Sequence, residues 1–593
     1  MFLKKINKAS ACLLFIMLLC FCLCQYGLQR LFGFSLFPDE FGYWAPAAKM
    51  LGWDWSEATS LGSYYSFGYS LILAPVLYFV KDSILAYRTA VVLNMLMMCI
   101  GLYLLYCLMR KLFPETEKER AAIISGIAVL YPPWIFYMQM TMTEALLLFL
   151  YILICWLFIC FLEKPRPLTA ALLVLALVYI YFVHMRSIGI IAAGAVMLFL
   201  WAFTGESPGR RRKTLLVLGA LLCLFLFGLR MKNVLIELLY HTASSEVLSY
   251  NDYSGQWDKL RYLLSLHGWK NFLAGCAAKA LYLGLATYGL AYRGIYYAAK
   301  KAVGAVKKIR NKEADGHSFF WIFLTLASAA QFFVTVIYTV GSAESGNDRL
   351  DLFLQGRYSE LMVPMLIAAG TVQLLESRKV WRETALTISG TALLTLLAVC
   401  VVKNSVTGMR NVHGYTMLGM SYMLKESSWQ PAEFLWKAWL FGAVLMGAAA
   451  LTAVISRKKE YMSWILMLLL ILETALGLQA GEHYIYIGNS HGYGDVRMAD
   501  KIMELTPSGE ERIIFVYEGG TPYIEQVQFR LRDRKVEIWS LSELAKNWEQ
   551  LKETDKVLLE FESQYKETLE ERYEKSWENG HLCLYYNSGQ NGD

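Results

Sequence analysis

The sequence predicts a polytopic α-helical membrane protein of about thirteen transmembrane helices, followed by a small extracytoplasmic α/β domain. Three observations predict it. Apolar residues make up 56% of the 593 residues and charged residues only 18%, where a soluble protein carries roughly 25% charged residues. The mean hydropathy is +0.38. These values argue against a soluble enzyme, a disordered chain or a nucleic-acid-binding protein. Second, the net charge of +7 is unevenly placed. Residues 482–593 hold 13 basic and 22 acidic residues, and residues 1–481 hold 43 basic and 27 acidic. A basic membrane domain (1–481) therefore precedes an acidic, soluble one (482–593). Third, the short connectors between apolar runs alternate sharply in basic content.

A bilayer takes about 20 apolar residues per helix. Runs near 11–31, 83–109, 121–138, 143–162, 168–183, 187–203, 214–230, 277–298, 318–340, 359–376, 383–403, 434–455 and 461–479 supply them. The first follows Lys4 and Lys5 and lacks an A-x-A-like cleavage site, so it reads as an uncleaved span and not a signal peptide. The run 64–80 is a further candidate, and orientation decides its fate. Lys4/Lys5/Lys8, Arg110/Lys111/Lys118/Arg120, Lys164/Arg166, Arg210 to Lys213, Lys300 to Lys312, Arg378/Lys379/Arg382 and Arg457 to Lys459 hold 25 basic residues. The positive-inside rule makes these seven stretches cytoplasmic. A spanning 64–80 would invert every later loop, so an interfacial or re-entrant outer helix is expected there. The chain is then a multi-pass cell-membrane protein with a cytoplasmic N-terminus and an extracytoplasmic C-terminal domain.

The outer side receives a long first loop (34–82), loops near 231–275 and 404–433, and the C-terminal domain. In that domain Ile513 to Tyr517, Val536 to Trp539, Val557 to Phe561 and Leu582 to Tyr586 read as strands between polar helical stretches. Eleven of the twelve cysteines lie in or beside apolar runs and no CxxC pair exists. They read as small apolar filler, without disulfide or zinc chemistry.

The candidate chemistry lies at the outer ends of spans. Asp39 and Glu40 stand just outside the first span, followed by Tyr43, Trp44, Trp53, Trp55 and Tyr64-Tyr65-Ser66-Phe67-Gly68-Tyr69. Asp39 reads either as a helix N-cap or as a base made more basic by partial desolvation. Glu144 opens the fourth span, where Thr141 and Glu144 match the S/T-x-x-E capping box. His184-Met185-Arg186 joins spans five and six, and Gln355-Gly356-Arg357-Tyr358 precedes the tenth. Arginines on the outer face run against the positive-inside bias. They read either as snorkelling to lipid phosphates or as a phosphate clamp, because the guanidinium offers a fork to phosphate oxygens. There is no G-x-x-x-x-G-K-[ST], no H-E-x-x-H and no D-x-D. Gly488 to Gly494 only superficially suggests phosphate binding, since Arg497 replaces the third glycine of G-x-G-x-x-G, and it reads as a loop.

Taken in order, these features resemble the GT-C superfamily of polyprenyl-phosphate-sugar glycosyltransferases. Pro38-Asp39-Glu40 with Tyr43 and Ala47 comes first, then Tyr65 to Leu71 before Ala74-Pro75, Arg88 near a span start, Glu144, and Gly356-Arg357-Tyr358 before Pro364. The nearest likeness is to protein O-mannosyltransferases and lipid A aminoarabinose transferases, over most of residues 1–400. The resemblance implies a GT-C-like fold and inverting transfer of a sugar from a polyprenyl-phosphate donor to an extracytoplasmic cell-envelope acceptor (glycan, lipid or protein), without a metal cofactor. It makes Asp39 the catalytic acidic residue and general base, and Glu144 a second acidic position. Arg186, Arg357 and Tyr358 fall near the donor phosphate, and Glu40, Tyr43 and Tyr65 among the substrate contacts. The sequence departs at Ser66-Phe67, where many relatives carry a proline pair or a basic residue. Two other readings stand beside it. One is a polymerase or ligase using lipid-linked oligosaccharides. The other is a transporter or flippase, which would place ionisable groups near the bilayer midplane.

Overall fold

The computed structural model describes residues 7–587 apart from 36, 38, 63–64, 205–207, 241–255, 341–349, 404–412, 425–429, 458–464 and 520–521. Pro38, Tyr64, Lys4, Lys5, Lys458, Lys459 and parts of the loops near 231–275 and 404–433 thus fall outside the described residues.

The first helix, α1 (Lys8–Leu28), leads into the first loop, which folds as α2 (Asp39–Met50), α3 (Ser56–Ser60) and α4 (Ser70–Phe79). The following helices are α5 (Ser83–Leu112), α6 (Lys118–Val129), α7 (Pro132–Tyr137), α8 (Glu144–Glu163), α9 (Pro167–Val183), α10 (Ile188–Phe203) and α11 (Pro208–Leu239). Then come α12 (Gln256–Tyr262), α13 (Leu266–Ala286), α14 (Leu290–Arg310), α15 (Gly316–Tyr338), α16 (Leu350–Leu354) and α17 (Val363–Glu376). The helices α18 (Val380–Lys403), α19 (Pro431–Ser456) and α20 (Met467–Ala480) complete the bundle.

Among the described residues eight helices are long and apolar enough to cross a membrane, or nine if one bent pair is a single span. Several of the thirteen expected runs take other forms. Residues 121–138 divide into α6 and α7 at Leu130–Tyr131, ahead of Pro132 and Pro133, because the residue before a proline is pushed out of the helical region. The run 277–298 straddles the junction of α13 and α14, which meet at 109°. Tyr288 and Gly289 hold φ of 55° and 76° there, and two left-handed residues in succession cannot continue a right-handed helix. The runs at 168–183, 359–376 and 461–479 appear as helices of 17, 14 and 14 residues. The 10-residue α4 reaches only about 15 Å, half a bilayer core.

The segment that reads as a loop at Gly488 is helical instead. After α20 the chain passes through a π-helical stretch, Gly481–Tyr486, into α21 (Ile487–His491) and α22 (Tyr493–Leu505). The apolar run Tyr484 to Ile487 is too short to separate strand from helix by pattern, and packing decides: Tyr484, Ile485 and Tyr486 are buried on the bundle.

The C-terminal part is a five-stranded mixed sheet of order β2-β1-β3-β5-β4: β1 (Ile513–Tyr517), β2 (Val536–Ser540), β3 (Lys556–Glu560), β4 (Lys575–Asn579) and β5 (Leu582–Tyr586). β1 pairs in parallel with β2 (Ile513 opposite Val536) and β3, and β5 pairs antiparallel with β3 and β4. Each face has its own core. Ile513 and Phe515 pack with Ile524, Val527 and Leu531 of α23 (Pro522–Leu531), and Ile514 and Val516 pack with Leu544, Leu551 and Leu569. Four of the five strands follow the apolar runs of the sequence. β4, Lys-Ser-Trp-Glu-Asn, carries charge because it is an exposed edge, where charge deters pairing with other chains.

α23 fastens this domain to the first loop. Phe529 sits against Phe34, Trp44 and Trp55, with ring centroids 4.7, 5.0 and 6.3 Å away. Gln526 pairs with the backbone of Phe34 through both ends of its amide. Arg532 donates to Leu77 O at 2.7 Å and Val80 O at 2.9 Å, satisfying the last carbonyls of α4. Asn489 binds Phe32 N, Gly33 O and Phe34 O. The loop that carries Asp39 is therefore held from both sides.

Candidate active site

Four charged side chains from distant stretches meet at one end of the bundle. Asp39 is the first residue of α2 and Glu144 the first of α8. Arg186 lies in the 3-10 turn Met185–Ser187, and Arg357 lies between α16 and α17. Arg357 donates from Nη2 to Asp39 Oδ2 at 2.8 Å and from Nε to Glu144 Oε1 at 2.6 Å. Arg186 donates from Nη2 to the same Oε1 at 2.8 Å. Glu144, Arg186 and Arg357 are 1%, 3% and 5% exposed, whereas Asp39 keeps 18%. Glu144 is thus the buried anchor of both arginines, and Asp39 is the carboxylate that reaches the outside.

Local chemistry sets each position. Ser187 Oγ donates to Ile180 O and His184 O at 2.9 Å, closing the turn that aims Arg186 inward. Gly356 precedes Arg357 because a Cβ there would stand 1.7 Å from the Tyr282 ring. Gly42 has the same reason, with Tyr65 at 2.0 Å. The arginines stack on aromatic faces: Arg186 lies 4.5 Å from the Tyr358 ring centroid and Arg357 4.7 Å from that of Phe37. Among the described residues Arg186 Nε and Nη1 are buried with no hydrogen-bond partner, so two donor nitrogens of the guanidinium, one on either side of Nη2, are still to be satisfied. Burial draws the Arg357 pKa down, but Glu144 and Asp39 outweigh it and hold the group well above its ordinary value.

The two tyrosines of the first loop adjoin this network. Tyr43 is fully buried, its hydroxyl 3.5 Å from Thr143 Oγ1. Tyr65 lies 5.6 Å from Tyr43, ring to ring, and is only partly buried. Desolvation raises the Tyr65 hydroxyl well above its usual range, and the charge of Asp39 and a hydrogen bond to it act the same way. Ser66 is buried, and Phe67 stacks on Phe182 of α9 at 5.3 Å, so position 67 packs the loop and supplies no cation.

The structure bears on three readings of the sequence. Glu40 is 0% exposed with both oxygens engaged within the protein: one accepts from Ser35 N and Oγ, and the other from Tyr87 Oη and Thr141 N and Oγ1. It ties the first loop to the start of α8. The capping box of Thr141 and Glu144 does not form, because Thr143 is the N-cap and makes no side-chain cap bond, while Thr141 serves Glu40. Snorkelling is also excluded for Arg186 and Arg357, whose side chains point into the protein.

Two carboxylates escaped the sequence reading. Glu360, one turn after Arg357, is buried with Oε1 accepting from the Tyr282 hydroxyl and Oε2 without a hydrogen-bond partner among the described residues. Its spacing from Arg357 is the one signal that pointed to it. Glu525 comes from α23 of the C-terminal sheet domain, is 5% exposed and has no hydrogen-bond partner among the described residues. Burial pushes its carboxyl well above the usual carboxylate range, and the charges of Asp39 and Glu40 add to the push. Nothing in the sequence marks it, because only docking of the two domains brings it to Asp39. Among the described residues no group of three His, Cys, Asp or Glu is arranged to hold a metal ion.

The fold, a helical bundle with a mixed α/β domain packed on the first loop, is shared by solved structures. The solved structures that share it include ArnT from Cupriavidus metallidurans bound to undecaprenyl phosphate, with a TM-score of 0.53 at 13% identity over 97% of this chain and 98% of that one. Apo ArnT from the same organism gives 0.51 at 14% identity over 98% of each chain. AglB, an oligosaccharyltransferase from Archaeoglobus fulgidus, aligns at a TM-score of 0.43 and 11% identity over 100% of this chain and 75% of its own. No family model and no curated protein matches the sequence.

Proposed function

We propose that this chain is an inverting GT-C-type glycosyltransferase that moves one sugar from a polyprenyl-phosphate donor to an extracytoplasmic acceptor of the cell envelope. The single observation that carries the reading is the Asp39–Arg357–Glu144–Arg186 network, with two donor nitrogens of Arg186 unsatisfied among the described residues. Undecaprenyl phosphate in the ArnT structure of the same fold supports the donor class.

In this reading Asp39 takes the proton of the acceptor hydroxyl as that oxygen attacks the anomeric carbon. The bond from that carbon to the phosphate oxygen breaks, and the lipid phosphate leaves with one more negative charge. Arg186 meets that charge with one of its unsatisfied nitrogens, and Arg357 reinforces it from beside Asp39. A positioned base is worth about 10²–10⁴ in rate, and an oriented donor in a dry site about 10²–10³. Glu144 keeps both guanidiniums aimed, Tyr43, Tyr65 and Tyr358 wall the site, and Glu525 closes it from the soluble domain (482–593). The seven basic connectors put this end of the bundle outside the cell. A transporter is disfavoured because the four charges sit at helix ends and not midway along them.

Purified protein incubated with a single-sugar polyprenyl monophosphate is expected to release lipid phosphate, and Asp39→Asn to release it about 10²–10⁴ times more slowly. Full activity of Asp39→Asn would remove it as the base. Turnover only with a diphosphate-linked oligosaccharide would make the chain a polymerase or ligase. A reporter fused after Lys81 is expected outside and one after Lys111 inside, and an inside signal at Lys81 would invert the topology.

A further inference from the structure

A cavity of about 900 Å³ opens at the end of the bundle opposite Asp39. α8 fixes that placement. Its first residue, Glu144, belongs to the ionic network, and its last, Glu163, pairs with Lys111 on the cavity wall at 2.5 Å. Twenty helical residues separate the two by about 30 Å.

One side of α14 makes the basic wall. Tyr296, Lys300, Gly304 and Lys308 recur every four residues and so form one stripe, with Tyr297 and Lys301 beside it. Gly304 leaves the floor open. The other charges are largely spoken for. Glu383 binds Arg293 at 2.7 Å, and Asp315 caps α15 through Ser318 N and Oγ while standing in the field of Lys308. Glu376 stands exposed at the rim. Lys300, Lys301 and Lys308 form no ion pair among the described residues. Trp321 and the two tyrosines supply the aromatic setting found at membrane interfaces.

A second observation says what kind of anion fits. α14 also exposes Ile295, Val303 and Val306, at 41%, 61% and 56%. A soluble anion has no use for that apolar flank, whereas an amphiphile does. We propose that this cavity binds the phosphate headgroup of an anionic membrane lipid, with its acyl chains along Ile295, Val303 and Val306. Lysine suits the task, since a flexible ammonium meets a rotating phosphate without a fixed fork. The inference rests on membrane embedding alone and does not depend on the sugar-transfer reading.

The test uses the full chain in detergent, titrated with phosphatidylglycerol, phosphatidylcholine or inorganic phosphate, and read by native mass spectrometry and melting temperature. Phosphatidylglycerol is expected to saturate one tight site, with phosphatidylcholine and inorganic phosphate giving no shift at the same concentration. Lys300→Gln/Lys301→Gln/Lys308→Gln is expected to weaken that site roughly a hundredfold, at about fivefold per lysine. Single Lys301→Gln, expected to cost about fivefold, serves if the triple variant does not fold. Arg378→Gln/Lys379→Gln removes two exposed cations from the same end outside the cavity, and is expected to change nothing. Undiminished binding by the lysine variants, or equal loss in the Arg378/Lys379 variant, overturns the site. Protection by inorganic phosphate equal to that by the lipid assigns the cavity to a soluble phosphate compound and overturns the lipid.

Discussion

The two ends of the bundle hold their cations in opposite states. At one end Arg186 and Arg357 are 3% and 5% exposed and bound to carboxylates. At the other, Lys300, Lys301 and Lys308 are exposed and form no ion pair among the described residues. The difference is physical. A buried charge survives only with a partner held at hydrogen-bond distance, and the same partner fixes the geometry that a reaction needs. A hydrated lysine needs no partner and fixes nothing. The residue types match: the rigid guanidinium fork where direction counts, the ammonium where charge alone counts. An ionic network that is paired, buried and incompletely satisfied is therefore a better pointer to chemistry than a dense run of positive charge.

The strongest test of that contrast is Asp39→Asn. It is expected to cost about 10²–10⁴ in transfer rate, with an unchanged melting temperature because Arg357 keeps Glu144. A fall in melting temperature equal to that of a scaffold variant would make Asp39 structural. Glu144→Gln is expected to do what Asp39→Asn does not. It strips both buried arginines of their shared partner, so unfolding stability falls by about 3–5 kcal/mol, measured by denaturant melts. Transfer falls with it, as the arginines lose their aim.

Next come the arginines themselves. Arg357→Lys is expected to weaken donor binding by roughly tenfold to a hundredfold, the size of a lost charge-assisted hydrogen bond. One ammonium cannot serve Asp39 and Glu144 with the spacing that Nη2 and Nε achieve. Arg186→Lys, with one carboxylate to serve, is expected to lose less. At the opposite end Lys301→Arg should leave transfer untouched. Equal effects at both ends, in a lipid-phosphate binding assay, would erase the distinction.

The smallest effect concerns Glu525, a buried carboxylate without the partner that Glu144 has. Its pKa in the folded chain is raised from 4.5 by burial first and then by Asp39 and Glu40. The folded state then binds more protons than the unfolded one. That stabilising contribution is complete below 4.5 and is lost as the pH rises through the raised folded value. Glu525→Gln removes the dependence, so the variant should melt about 1–3 °C above the parent at alkaline pH and no higher below 4.5. A parallel pH profile for both proteins would show that Glu525 does not titrate in the docked state.

Much was legible in the sequence because it depends on local pattern. The apolar runs announced the helices, the charge imbalance announced the soluble part, and four strands followed their apolar runs. Asp39, Glu144, Arg186 and Arg357 stood out by being charged at the wrong place, at the outer ends of apolar helices. Their partners did not stand out. Glu40, the neighbour of Asp39 in sequence, read as a substrate contact. A helix turns about 100° per residue, so the two carboxylates face different surroundings, one toward the arginines and the other into Tyr87 and Thr141. The double break at Tyr288–Gly289 was hidden inside a run of suitable hydropathy, because hydropathy counts residues and not dihedral angles.

By itself, then, the sequence determined the membrane class, the polar domain that follows the bundle, and which charges were costly enough to need an explanation. Hydrophobicity and charge act through the solvent, so their sum along a short stretch decides them. Only the tertiary structure decided which of two adjacent carboxylates meets an arginine, that Arg186 and Arg357 share one oxygen of Glu144, and that Glu525 arrives from another domain. The hydrogen bonds among those facts span as many as 318 residues, and the approach of Glu525 spans more. A hydrogen bond works over about 3 Å, and only packing brings such residues that close.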